Sequence, residues 1–310
     1  MDQLKSCFRS TPVPVAGLML GLAGLGNLVQ PYGNHFRYTS GAIAFIVILL
    51  LLGRFIIDNN GFLNELDNPV VASVAPAFSM GIIILAGYLA PHIPEIARVI
   101  WYTGIILHGI FVLLFSAKYL LNFNIKKVFP SYFIVYVGIV VASVTAPAFE
   151  RLFLGQVIFW AGFIGYMVFL PIVTYRVIMV REIKKPALPT IAIFTAPAGL
   201  CLAGYMAAFP EKSSLMVGWL TFLTVVMISS VIIYLPKMLA VGFCPSFSAF
   251  TFPFVITAIG LRMVTNYLTA EYGITLLRYP ALIVEFLAIG LVLFVFTLYS
   301  IYILKNTFSK

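Results

Sequence analysis

The chain has 310 residues, of which 62% are hydrophobic and only 9% charged, with a formal net charge of +9. A soluble domain carries about 25% charged residues, so a cytosolic enzyme, a secreted domain and a nucleic-acid binder are excluded, and the apolar content excludes disorder. An outer-membrane barrel alternates polar and apolar residues, whereas this chain has continuous apolar runs; the composition is that of an all-α, multi-pass membrane protein.

Crossing about 30 Å of hydrocarbon takes about 20 apolar residues. Ten segments qualify: 14–30, 39–57, 70–90, 96–117, 130–147, 152–176, 189–209, 214–235, 246–268 and 279–304. The first follows Lys5 and Arg9 but has no convincing small-residue cleavage site, so it reads as a retained span and not a signal peptide. Short connections predict one transmembrane domain over 1–310 with no soluble appendage.

Charge placement orients the chain. With the N-terminus inside, Lys5, Arg9, Arg54, Lys118, Lys126, Lys127, Arg176, Arg181, Lys184, Lys185, Lys237, Lys305 and Lys310 fall on the inner side, 13 of the 19 basic residues. Arg37, Arg98, Arg151, Lys212, Arg262 and Arg278 fall outside. The bias places both termini in the cytoplasm of a plasma (inner) membrane, which requires an even number of spans and agrees with ten.

A proline opens every odd-numbered segment: Pro12 or Pro14, Pro69, Pro130, Pro189 and Pro245. The spacing is one helical hairpin each time and predicts five parallel hairpin repeats about an axis along the membrane normal. Further prolines lie within the odd segments, at Pro76, Pro147, Pro197 and Pro253; each removes a helix hydrogen bond and predicts a kink. The even segments are richer in Leu, Ile, Phe and Val. The expected architecture is therefore five kinked odd helices around a central pore with five smoother helices outside. Small and weakly polar residues on the odd segments are the candidate lining, among them Gly21, Ser73, Ser143, Thr195 and Thr251.

Catalytic chemistry is not legible. There is no H-E-x-x-H motif, no Walker A loop and no pair of facing aspartates. Cys7, Cys201 and Cys244 have no metal-ligand spacing, and His92 with Glu95 lacks a third partner. No catalytic residue, metal or cofactor is expected. The one carboxylate set inside a segment is Glu285, which Arg262 could approach. The two residues form either a structural charge pair or part of a proton relay.

Ten spans, parallel hairpins and kinked odd helices together resemble the tellurite-resistance/dicarboxylate transporter family, whose members include a bacterial tellurite-resistance protein, the plant guard-cell slow anion channel, a fungal malate permease and a fungal sulfite exporter. The resemblance is carried by Ser248-Ala249-Phe250-Thr251-Phe252-Pro253, by Ala196-Pro197-Ala198 through Tyr205, and by Pro130-Ser131-Tyr132-Phe133 with Val137-Gly138-Ile139-Val140. It covers essentially the whole chain. It implies a homotrimer with a pore in each subunit, lined by the odd helices and plugged by a ninth-span phenylalanine matching Phe252. Phe252 lies about 10 Å of helix rise beyond Pro245, near mid-membrane, where a ring in an apolar constriction blocks water and ions alike. The function implied is passive permeation of small anions (chloride, nitrate, a dicarboxylate or an oxyanion) gated by Phe252. The alternative is a proton-coupled C4-dicarboxylate carrier, or an exporter of sulfite or tellurite, in which Glu285 is the titratable group. The expected partners are the anion, the lipid bilayer and two further copies of the chain, with no nucleic acid.

Overall fold

The structure, a computed structural model, describes residues 2–308; Lys310, counted above with the inner-side basic residues, lies outside them. The described residues form helices and turns with no strand. In chain order come α1 (Asp2–Ser10), α2 (Val15–Val29), α3 (Asn34–Ile57), the short α4 (Asn59–Glu65), α5 (Pro69–Val74), α6 (Ala77–Leu89) and α7 (Pro94–Phe115). There follow α8 (Tyr132–Tyr136), α9 (Val141–Thr145), α10 (Leu152–Tyr175), α11 (Thr195–Ala208), α12 (Ser214–Leu239), α13 (Phe252–Tyr272) and α14 (Arg278–Phe308). Pro12 and Pro14 separate α1 from α2, and the two meet at 88°.

Eight helical stretches among the described residues are long and apolar enough to cross a membrane, or nine if the bent α1–α2 pair is one span. The exception among the predicted segments is the fifth, 130–147. There the chain is helical but broken, running through α8, a 3-10 turn over Gly138–Val140, α9 and a second 3-10 turn over Ala146–Phe149. Pro130 and Pro147 each remove a backbone donor and Gly138 adds freedom between them, so no single long helix forms.

The helices sort into two layers. In the apolar windows of Pro69–Leu89, Lys185–Ala208 and Pro245–Tyr272, 67–83% of residues are buried; in those of α3, α7, α10, α12 and α14 the share is 22–39%. α2 is buried over nearly all its length. The inner elements touch in a closed ring, α2 on α6, α6 on α9, α9 on α11, α11 on α13, and α13 back on α2. Each outer helix packs behind the inner element of its own hairpin: α3 on α2, α7 on α6, α10 on α9, α12 on α11 and α14 on α13. Large apolar side chains such as Phe45, Leu113, Ile164 and Leu215 stand exposed on the outer layer.

Glycines set the closeness of the inner ring. Gly17, Gly21 and Gly24, on one face of α2, receive the chain of residues 248–255. A Cβ at Gly17 would sit 2.9 Å from Ser248 Cβ, and one at Gly21 would collide with Thr251. Across the ring a Cβ at Gly199 would sit 2.7 Å from Thr257 Cα, and one at Gly260 2.8 Å from the Gly199 carbonyl. In lipid, where no hydrophobic effect drives helices together, such small-residue contacts supply the packing.

Candidate permeation path

A cavity of about 40 Å³ lies on the ring axis, in the half where the inner elements begin. Its wall takes residues from all five: Gly17 before α6's Met80, then Val137, Pro197 and Phe252. The volume holds a few waters, and no charged side chain lines it.

Every inner element changes course at this level. α2 begins after Pro14, α5 gives way to α6 at Ala75-Pro76, and α8 ends at Tyr136, two residues before Gly138. α11 follows a 3-10 stretch over Lys185–Phe194, and α13 follows one over Pro245–Phe250. The last transition passes through Thr251, at φ −96° and ψ −91°, immediately before Phe252. Irregular backbone at membrane depth is tolerated only where protein or a cavity surrounds it, and here it is buried in the ring. Four α-helices of 13 to 21 residues, α2, α6, α11 and α13, thus start at the cavity and run away from it. Their positive dipole ends favour an anion there. Many first-turn donors are already taken, as in Gly17 N to Pro14 O at 3.0 Å and Phe78 N to Ala75 O at 3.0 Å. The cavity therefore offers a favourable field without a set of free donors to chelate an anion tightly.

Phe252 is 4% exposed and forms part of the cavity wall. Gly24 makes room for its ring, since a Cβ there would lie 3.2 Å from Phe252 Cδ2. The preceding Thr251 is tied down, its Oγ1 lying 2.9 Å from Gly17 O on α2 and 2.7 Å from Ser248 O. The ring is thus held between a fixed break in its own chain and a glycine on α2.

The other predicted residues divide. Pro197 and Pro253 line the cavity, and Pro76 begins α6 beside it. Pro147 lies away from it, in the 3-10 turn at the far end of the fifth segment. Gly21, Ser73, Ser143, Thr195 and Thr251 are all buried, but none of them is on the cavity wall. Gly21 receives Thr251, Ser73 Oγ meets Ser131 Oγ at 2.6 Å, Thr195 donates to Ala192 O at 3.1 Å, and Ser143 Oγ is buried without a partner. The hydroxyl residues that do face the cavity are Thr190, Ser246 and Ser248. Arg262 and Glu285 come together, Nη1 to Oε1 at 3.5 Å. Neither touches the cavity; Arg262 instead donates to Leu28 O at 2.6 Å and Asn27 O at 3.3 Å in the last turn of α2.

The sequence placed His108 within the fourth segment and gave it no role. His108, on the outer helix α7, is fully buried. Its Nε2 lies 3.1 Å from Val135 O and its Nδ1 3.0 Å from Ser79 Oγ, which is itself 2.7 Å from Pro76 O. It therefore joins the breaks of the third and fifth segments from behind the cavity wall. A histidine alone within an apolar segment was the signal available, and it pointed to no particular partner.

The family model for voltage-dependent anion channels, SLAC1, matches residues 11–304. No curated protein matches the chain.

Proposed function

The chain belongs to the voltage-dependent anion channel (SLAC1) family, which is the tellurite-resistance/dicarboxylate transporter family that its sequence resembles, and from that premise we propose that it conducts small anions passively along the axis of its inner ring and that Phe252 is the gate. The observation that carries this reading is the axial cavity, walled by all five inner elements and bordered by Phe252 where α13 begins. An anion in the cavity meets four positive helix ends and no carboxylate. Beyond it a phenyl ring replaces none of the ion's hydration, which is an effective barrier until the ring moves.

In this reading the eight long helices, the bent α1–α2 pair and the broken fifth segment make ten passes in five parallel hairpins. Both termini then lie on one side, and the bias of basic residues makes that side the cytoplasm of the plasma membrane. The family resemblance supports a homotrimer with one pore per subunit. Chloride, nitrate, dicarboxylates and oxyanions are the candidate permeants, and the path performs no reaction. A coupled carrier needs a titratable group on the path, whereas Glu285 is paired with Arg262 away from the cavity.

The test is conductance of purified protein in planar bilayers under chloride, nitrate and malate gradients, with the unsubstituted chain beside Phe252→Ala. A near-silent parent and a conducting variant whose reversal potential follows the anion support the gate. If both are silent while vesicles accumulate dicarboxylate with a pH gradient, the protein is a carrier and the gate is wrong.

A further inference from the structure

The bias of basic residues toward one side leaves six on the other, and three of these share a structural position. Arg262, from α13, donates to Leu28 O and Asn27 O at the end of α2. Arg37, from α3, donates to Gly87 O at 3.2 Å in the last turn of α6, with its guanidinium 4.4 Å from the centre of the Tyr88 ring. Lys212, in the turn between α11 and α12, donates to Phe209 O at 3.0 Å just past the end of α11, and its ammonium lies 5.7 Å from the Tyr267 ring near the end of α13. Three cations from three separate parts of the chain thus meet the carbonyl ends of α2, α6 and α11, and one of them also meets the last turns of α13.

These are the ends opposite the cavity. Because the inner helices all run in the same direction, the geometry that gives the cavity a positive field gives the far mouth a negative one. Each helix contributes about half an elementary negative charge there. Left bare, a ring of such ends would repel the ions that the cavity attracts. We propose that Arg37, Lys212 and Arg262 form a cationic collar at the far mouth that cancels this field and sets the preference of the path for anions over cations, an inference that rests on the pore reading above.

The carboxylates at this end set the order of effect. Glu285 lies 3.5 Å from Arg262 and balances part of its charge, and Glu95 is taken by Arg98. Glu150, Glu211 and Glu271 are exposed. Arg37 and Lys212 therefore carry more of the collar than Arg262.

The experiment uses the Phe252→Ala channel as parent and reads the reversal potential in asymmetric KCl after Arg37→Gln, Lys212→Gln or Arg262→Gln. Glutamine removes the charge and keeps a polar amide on a shorter side chain. The expected result is a fall in the chloride-over-potassium permeability ratio of about twofold to fivefold at Arg37 and Lys212 and less at Arg262, with Lys212→Arg and Arg37→Lys retaining the parent value. A purely structural cap predicts a lower melting temperature with the ratio unchanged, and that result overturns the collar. Should a glutamine variant fail to fold, the parent alone decides. Raising KCl from about 0.05 to about 1 M shortens the screening length severalfold and should lower its selectivity; a ratio independent of salt refutes the collar. A parent that passes no anion refutes the pore reading, and the collar falls with it.

Discussion

α12 and the inner stretch that follows it in the chain are both built from apolar residues, yet they obey different rules. α12 runs unbroken for 26 residues, Ser214–Leu239, against the lipid side. The inner stretch Pro245–Tyr272 begins as a 3-10 turn, bends at Thr251 and becomes an α-helix only at Phe252. A lipid-facing helix must satisfy every backbone group within itself. An inner one can leave that ladder where neighbouring groups take up the freed carbonyls, as the Thr251 hydroxyl does by donating to Ser248 O. The breaks are thus confined to the layer that can absorb them, and they are what opens a cavity on the axis. The outer layer supplies continuity and, through His108, support from behind.

The sharpest way to break this contrast is to fill an inner glycine. Gly21→Ala and Gly199→Ala place a methyl group against Thr251 and the Thr257 backbone, with no flexible side-chain end to yield. Each should cost about 3 kcal/mol, read as a large fall in melting temperature or loss of the monodisperse species in detergent. A wild-type melting temperature for either would mean that the inner ring is looser than its contacts imply.

His108→Leu ranks next. It removes the donor to Val135 O and the second contact of the Ser79 hydroxyl, which keeps Pro76 O, at a cost of about 1–3 kcal/mol. The loss should appear in thermal stability and, in the Phe252→Ala background, as altered single-channel conductance, because Met80 and Val137 on the cavity wall belong to the two segments it joins. His108→Gln, which can still donate to Val135 O, should recover part of both. Equal behaviour of the leucine and glutamine variants would reduce His108 to a space-filling residue.

Thr251→Val is smaller and bears on the gate. Valine keeps the branched shape and removes the hydroxyl that holds the break to α2, worth about 1 kcal/mol. With the chain before Phe252 less firmly held, the otherwise near-silent channel should open more often, raising the mean current severalfold while the ion preference stays the same. An unchanged current would place the restraint on Phe252 elsewhere, with Gly24 as the remaining contact.

The sequence made the layering legible because periodic prolines and small residues mark the odd segments, and those are the buried ones. It also named Phe252, through the resemblance carried by residues 248–253, and Pro253, through the proline pattern, and both border the cavity. It did not tell the hydroxyls on the cavity wall from those off it. Ser73, Ser143 and Thr195 were expected on a pore wall because they are polar in an apolar segment, but a hydroxyl on a helix is readily satisfied by a carbonyl three residues back or by a neighbouring helix. Ser73 and Thr195 did that. Which way such a residue turns depends on where the helix breaks, and the broken path of the fifth segment is set by contacts with four other parts of the chain. The roles of Arg37 and Lys212 were hidden for a related reason. A cation at a span end reads as a topology signal until the carbonyl it meets, 50 residues away for Arg37, is known.

The smallest expected effect is the converse of the first. Gly109, Gly218 and Gly290 lie in the outer helices α7, α12 and α14, and a Cβ at any of them would meet nothing within 4 Å. Each lies inside a helix, where glycine is less favourable than alanine by up to about 1 kcal/mol. Gly109→Ala and Gly218→Ala should therefore be neutral or slightly stabilising, with unchanged conductance in the Phe252→Ala background. The same chemical change, one methyl group, then separates the layers by sign. If alanine at these outer positions destabilised the protein as much as at Gly21, the open space beside them would have to be filled in the membrane by something that alanine displaces. Another subunit is the first candidate, so a shift in oligomeric state accompanying that loss would place the site in a subunit interface, and its absence would point to lipid.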